Sequence, residues 1–273
     1  MIMFKSLFTK LAPVTTLPEP QKAEDETQAR SPRSYTVGWL LQTERTSVIW
    51  DTPKPFRQEN AKNTISKSVT QCPAVLDFDR RYFVVNSPID LHLRLSVTNG
   101  ELGITNLLFD KSPIRPEALS QMVVFQPQAE WRHPNRPVLQ MMTAHIFVSD
   151  DPVYVNQYPP FLHYNGNLRP GVQINGRFPI DIWPRALQWA FEWHDMSKEL
   201  ILKRGEPLFY VQFEGPDPTA SVRLVEAQRT AELMSHIDSI TGVTEYVSQT
   251  YSLFKNARER RPEKLLFPKG SMR

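Results

Sequence analysis

Glycine is scarce. The chain of 273 residues has 10 glycines against 24 prolines, an inversion of average usage, which runs at about 7% Gly and about 5% Pro. Too few glycines remain for a collagen repeat or a flexible Gly/Ser linker. No phosphate-binding turn of the G-x-x-x-x-G-K-S/T or G-x-G-x-x-G type occurs, and neither H-E-x-x-H nor G-x-S-x-G is found. Cys72 stands alone, which excludes an intrachain disulfide and any zinc site needing two thiolates, and fits a reducing compartment. No apolar run approaches the ~18 residues that span a bilayer. The N-terminus lacks the long apolar stretch and small-residue cleavage site of a secretory signal. The expected setting is therefore the cytoplasm or a particle assembled inside the cell. Charge has no strong sign either: 32 basic residues face 29 acidic ones. That balance argues against a dedicated nucleic-acid binder.

What is present is an apolar fraction of 40% with 11% aromatics, enough to build a core. Phe4, Leu7, Phe8 and Leu11 are spaced for a short amphipathic helix. An isolated helix of that length is marginal in water, so it needs its own core, a partner subunit or a membrane surface. A polar, Pro-containing linker follows, so residues 1–34 read as a helix and linker. From 35 to 218 the pattern is that of a β domain. Leu91, Leu93, Leu95 and Val97 alternate with polar residues, and Asn99-Gly100 then leads into Leu102 and Ile104, which predicts a hairpin. Further strands are expected at 122–125, 138–148, 153–158, 187–193, 199–202 and 208–213, eight to ten in all. Fourteen of the 24 prolines fall between Pro113 and Pro218, mostly between these runs, where a missing N–H does least harm.

The period changes in 219–273. Leu233, Ile237 and Ile240 have helical spacing, with Thr230 as N-cap and Gly242 as the C′ residue. A second helix is expected from Thr244, burying Val247, Tyr251 and Phe254 and ending before Pro262. The expected fold is mainly β: a jelly-roll or β-sandwich body with a C-terminal α-helical hairpin and a basic tail.

Candidate functional residues concentrate between 158 and 214. Trp183, Trp189 and Trp193 lie there with Arg169, Arg177, Arg185 and Arg204. Tryptophan beside arginine suits a planar or anionic ligand, but it equally builds an aromatic core or a subunit interface. The candidate ligand or interface residues are His163, Arg177, Trp183, Arg185, Trp193, His194, Asp195 and Arg204. His145, His163 and His194 are metal-ligand candidates if they converge, and separate hydrogen-bonded histidines if they do not. Adjacent residues such as His194 and Asp195 point to opposite faces of a strand. Asp150-Asp151 before Pro152 reads as turn chemistry, or as two carboxylates for a hard cation. Cys72 reads as a structural thiol rather than a nucleophile. In the segment 255–269, Lys255, Arg258, Arg260, Arg261, Lys264 and Lys269 outnumber Glu259 and Glu263, as a solvated face or a phosphate contact would.

Two resemblances add to this. ELILKRGEPLFYVQF (199–213) resembles the closing strand pair of dUTPase-like and cupin-like barrels, although neither family's substrate-binding motifs nor a cupin histidine cluster accompanies it. VYVNQYPPFLHY (153–164), GRFPIDIWPRALQWAFEWHD (176–195) and LKRGEPLFYVQFE (202–214), with QCPAVLDF (71–78) and Ser87 to Asp90, are similar to a family of hypothetical proteins from tailed phages and marine bacteria. That similarity spans most of 36–262. It implies a phage or phage-derived setting and brings no catalytic residues. Three readings follow: a non-catalytic binding or assembly protein, meeting a protein partner or a second copy in part through the N-terminal helix; a small-molecule enzyme with a histidine metal site and Arg177, Arg185 or Arg204 holding an anion; and nucleic-acid binding through 255–269. No cofactor is assigned.

Overall fold

Strand alternation and chain breaks at proline account for most of the observed elements. The computed structural model describes residues 34–43, 49–56, 69–98, 101–164, 168–243 and 250–270. All lie in one unit, Pro32–Arg273. The N-terminal helix, most of the linker, Asn99-Gly100 and Val247 lie outside the described residues. The architecture is mainly β, with fourteen strands and four α-helices among the described residues.

A six-stranded sheet runs in the order β14 (Ser221–Glu226), β1 (Ser34–Leu41), β7 (Val138–Val148), β11 (Ala186–Trp193) and β9 (Gly171–Ile174), with β6 (Val123–Phe125) also paired to β7. β1 is parallel to β14 and antiparallel to β7. A five-stranded sheet runs β10 (Gly176–Pro179), β8 (Tyr154–Tyr158), β13 (Pro207–Glu214), β3 (Tyr82–Asn86) and β2 (Lys54–Pro55). A three-stranded sheet holds β12 (Leu200–Leu202), β4 (Leu91–Thr98) and β5 (Glu101–Asn106). Thr98 pairs with Glu101, so β4 and β5 form the hairpin expected around residues 99–100. One apolar cluster joins all three sheets, drawing Phe147, Trp189, Phe191 and Trp193 from the first, Phe209 and Phe213 from the second, and Leu93 and Leu200 from the third. Removing one of these buried aromatics would cost about 3–5 kcal/mol.

The polar turn at 203–206 does not close a strand pair, as the barrel resemblance implied. β12 pairs with β4, whereas β13 pairs with β3 and β8. Gly205, at φ +80°, lets the chain step from one sheet to the other, and each strand finds its partner at long range. β14 also extends the β region past residue 218.

The face of the six-stranded sheet turned away from the main core carries helices. α3 (Ala231–Val243) starts after Thr230, whose Oγ1 accepts the Leu233 N–H at 3.2 Å, the N-cap expected from sequence. Gly242 lies inside this helix rather than beyond its end. α4 (Thr250–Arg260) stops before Pro262 and carries Arg258 and Arg260 in its last turn, opposite in sign to the helix C-terminal dipole. It buries Leu253 and Ala257, with Phe254 partly buried. Residues 262–270 are not a free basic tail. Leu265 and Leu266 are buried against Leu40, Ile146, Val148, Leu233 and Ile237. Asp150 accepts the N–H groups of Leu265 at 2.7 Å and Leu266 at 3.3 Å, a loop-to-main-chain latch rather than a cation site. Arg261 pairs with Asp150, Lys269 pairs with Glu226, and Lys264 sits over the Phe267 ring. The remaining helices, α1 (Pro73–Asp79) and α2 (Pro116–Met122), are each about two turns long and begin with proline at the first position. Cys72, just ahead of α1, is exposed.

Candidate binding cleft

Alternation along β11 puts Leu187, Trp189, Phe191 and Trp193 into the main core and Ala186, Gln188, Ala190 and Glu192 on the opposite face. α3 and the C-terminal segment cover that opposite face around Leu40, Ile146 and Val148. They leave the part around Gln140, Met142, Gln188 and Ala190 as the floor of a cleft with two lobes. One lobe has a volume of about 420 Å³ and is walled by α3 through Ile237, Asp238 and Thr241. The other, about 380 Å³, is walled by α4 through Leu253 and Phe254 and by the Ile174–Gly176 corner, where the chain leaves the six-stranded sheet for the five-stranded one. Trp183, Arg185, Ala186 and Gln188 border both lobes. The register of β11 on β7 slips at this point, from Ala186↔Ile146 to Gln188↔Met142. Such bulges re-aim side chains and favour functional edges. Thr143, inside the slip, donates its hydroxyl to the Leu187 carbonyl at 2.7 Å.

Trp183 is buried and meets Phe254 edge-on at 5.2 Å between ring centroids. Arg185 has neither a carboxylate nor a hydrogen-bond partner among the described residues. Burial lowers its pKa, and no acidic neighbour counteracts that. Gln157 of β8 lines the second lobe, is 6% exposed, and its Nε2 has no acceptor among the described residues.

Of the eight candidate ligand or interface residues, the cleft brings together only Trp183 and Arg185. Trp193 is in the core, its Nε1 donating to the Asp195 carbonyl at 2.9 Å. Asp195 caps a turn: Ser197 donates its hydroxyl at 2.6 Å, and that bond, with Lys198, holds the carboxyl below its usual range. Arg177 lies 3.8 Å from the Tyr154 ring centroid and pairs with Glu214 at 3.2 Å. Arg204 is exposed on the turn before β13, with its main-chain N–H on Asp90. His163 follows β8 and stacks obliquely on Tyr164.

The three histidines do not converge. His145 sits in β7 beside the start of β11, and His194 follows the far end of β11. The seven-residue strand interval puts them about 23 Å apart. His163 lies in the turn that follows β8 of the other sheet. Among the described residues, no group of three or more His, Cys, Asp or Glu side chains could hold a metal ion. His236, followed two residues later by Asp238, lies on α3, where side chains at that spacing do not face each other.

Sequence reasoning missed one charged cluster. Glu192, 2% exposed, accepts hydrogen bonds from Arg132 at 3.0 Å and His194 at 2.7 Å, and Arg136 lies 3.7 Å away. Burial pushes the Glu192 carboxyl up, but its hydrogen bonds from Arg132 and His194 and their charges outweigh this and hold it below the usual range. The alternation of β11 placed Glu192 on a polar face. Nothing in the sequence marked the 127–137 loop as the element that buries it.

On the far side of the molecule's five-stranded sheet, Phe78, Tyr82, Phe161 and Tyr210 form a chain of ring contacts 4.7–6.0 Å long per step. Phe78 and Phe161 remain partly open to solvent. No described helix is long and apolar enough to cross a membrane. No protein-family model matches the chain, and no curated protein matches it significantly.

Proposed function

We propose that this is a non-catalytic binding or assembly protein whose recognition face is the cleft between the six-stranded sheet and helices α3 and α4. The observation that carries the reading is the open part of an otherwise helix-covered sheet face, with Trp183 and Arg185 shared by both lobes. Concave, mixed polar and apolar surface with a few convergent polar groups is the usual form of a recognition site. The body is read as a β-sandwich of the jelly-roll type, supported by the single apolar core that the three sheets share. α3 and α4 are read as a helical hairpin, supported by the cluster of Ile240, Leu253 and Ala257 on Ile182 and Trp183. The resemblance to tailed-phage proteins supports a phage-associated structural or accessory subunit, meeting a protein partner or a second copy.

Sedimentation velocity of the full chain over a concentration series tests this, together with cross-linking of the assembled particle. The comparison is with a variant whose cleft floor is blocked, Met142→Glu with Ala190→Glu. Association, with itself or with the cross-linked partner, should weaken in the blocked variant while the unfolding midpoint holds. A chain that stays monomeric throughout and gives the same cross-links with the cleft blocked would overturn the proposal.

A further inference from the structure

A neutral imidazole has one N–H and one bare nitrogen. Protonation turns the bare nitrogen into a second donor and adds a charge. His236 is buried on α3 where that helix meets the turn at Ile182 and Trp183. Its ring donates to the Ile182 carbonyl. Nε2 is closed to solvent and has no partner among the described residues. The interface therefore seats the neutral ring and leaves no acceptor for a further proton. The neighbours of His236 on α3 hold that interface together. Leu233 and Ile237 pack on Leu40, Ile146 and Val148, and Ile240 packs with Ile182 and Trp183. Ile237 and Trp183 also line the cleft.

We propose that acidification loosens α3 from the turn at Ile182 and Trp183, with protonation of His236 as the trigger, and so opens one wall of the cleft. The consequence for binding rests on reading the cleft as the recognition face. The groups around the ring set the direction of the response. Arg261, from the C-terminal segment, acts on the ring and disfavours a second positive charge. Glu232 of α3 and Arg260 of α4, both exposed, border a groove of about 560 Å³ beside it. Asp238, two residues on, is exposed and does not share its face of the helix. Asp181, next to Ile182, faces Arg258 and Arg261, and Arg261 also pairs with Asp150. Burial lowers the His236 pKa from 6.5, with help from Arg261 and against the Ile182 hydrogen bond. A loosened α3 takes up the proton near the ordinary value. The seating of His236 is therefore complete above about pH 6.5 and weakens as the pH falls below it. Asp181 works the other way: burial raises its carboxyl from 3.8, so its protonation favours the folded chain and offsets part of the loss.

The test is amide hydrogen exchange of the full chain, corrected for intrinsic rates, about one pH unit above and about one below 6.5. On the acid side the amides of α3 should lose protection severalfold, up to about tenfold. At both pH values they should stay less protected than those of β13, as a local opening requires. His236→Gln and His236→Phe do not titrate and should abolish the pH dependence in α3, whereas His145→Gln should keep it. Exchange in α3 as slow as in β13, the same acid response in wild type and both His236 variants, or a His236 ring resonance titrating near about pH 6.5 in the folded chain would overturn the proposal. Self-association or partner cross-linking should weaken over the same interval in the wild type and hold in His236→Gln. Loosening of α3 with association unchanged would sink the cleft as the recognition face and leave the trigger standing. Association that responds to the cleft block, with no acid loosening of α3, would sink the trigger alone.

Discussion

Histidine 145 provides a pH-dependent test of the core. Its ring is 1% exposed, in edge contact with Trp50 at 5.3 Å, and its Nε2–H donates to the Asp51 carbonyl at 2.9 Å. Nδ1 has no partner among the described residues. A proton added there would place a second N–H, and a charge, where nothing accepts them. Burial accordingly pulls the pKa down to about 4 from 6.5, against the smaller opposing influence of Asp51. The unfolded chain takes up this proton near the ordinary value, whereas the folded chain resists it. Stability from this residue is therefore complete above about pH 6.5 and declines as the pH falls toward 4. At about pH 5 the loss relative to neutral pH is about 2 kcal/mol, which for a domain this size is roughly 4–8 °C in melting temperature. Urea unfolding at neutral pH and at about pH 5 should show this difference in the wild type. In His145→Gln and His145→Phe it should shrink by that amount, whatever their absolute stability. The comparison with wild type removes the contribution of His236, whose pKa burial also lowers. Equal pH dependence in wild type and both variants, or a His145 ring resonance titrating near about pH 6.5, would refute the reasoning.

Two further predictions concern the segment that closes over the sheet. Asp150→Ala removes the acceptor of the Leu265 and Leu266 N–H groups and the partner of Arg261. A loss of about 2–3 kcal/mol is expected, with faster amide exchange confined to residues 262–270, and unchanged exchange there would contradict the latch. Gly38→Val drives a side chain into Leu266, Ala227 and Val148. It should cost about 1–3 kcal/mol, part of it recovered by adding Leu266→Ala, and denaturant midpoints that show no such recovery would rule out the close approach.

Alternation and capping were legible where one stretch of chain carried the whole signal. The β4–β5 hairpin, the 138–148 strand, the core face of β11 and the Thr230 cap are of this kind. Partners were not legible, because a period of two says which face a residue shares and not which strand lies beside it. Leu200–Leu202 and Pro207–Glu214 therefore looked like one strand pair, and the alliance of Ser34–Leu41 with Ser221–Glu226 left no local trace. The candidate site divides in the same way. Trp183 and Arg185 were visible as a Trp-Pro-Arg run dense in chemistry. Gln157 was not, since an ordinary polar position in a strand becomes an orphaned donor only when Arg185, Asn175 and α4 arrive around it. The histidines illustrate the converse, for residue type suggested a metal site that strand length then separated.

The place of Ser34–Leu41 between β7 and β14 has a consequence for biosynthesis. Arg229, just past β14, donates to the carbonyl of Leu41 across 188 residues of sequence. At a synthesis rate of ~5–20 residues per second, the strand that carries Tyr35, Val37 and Leu40 waits roughly 10–40 s for its parallel neighbour. During that interval an apolar strand offers an unpaired edge to whatever is nearby. Yield in the cell should therefore depend on chaperone supply and on the tempo of translation through 138–226, even when the finished protein is stable.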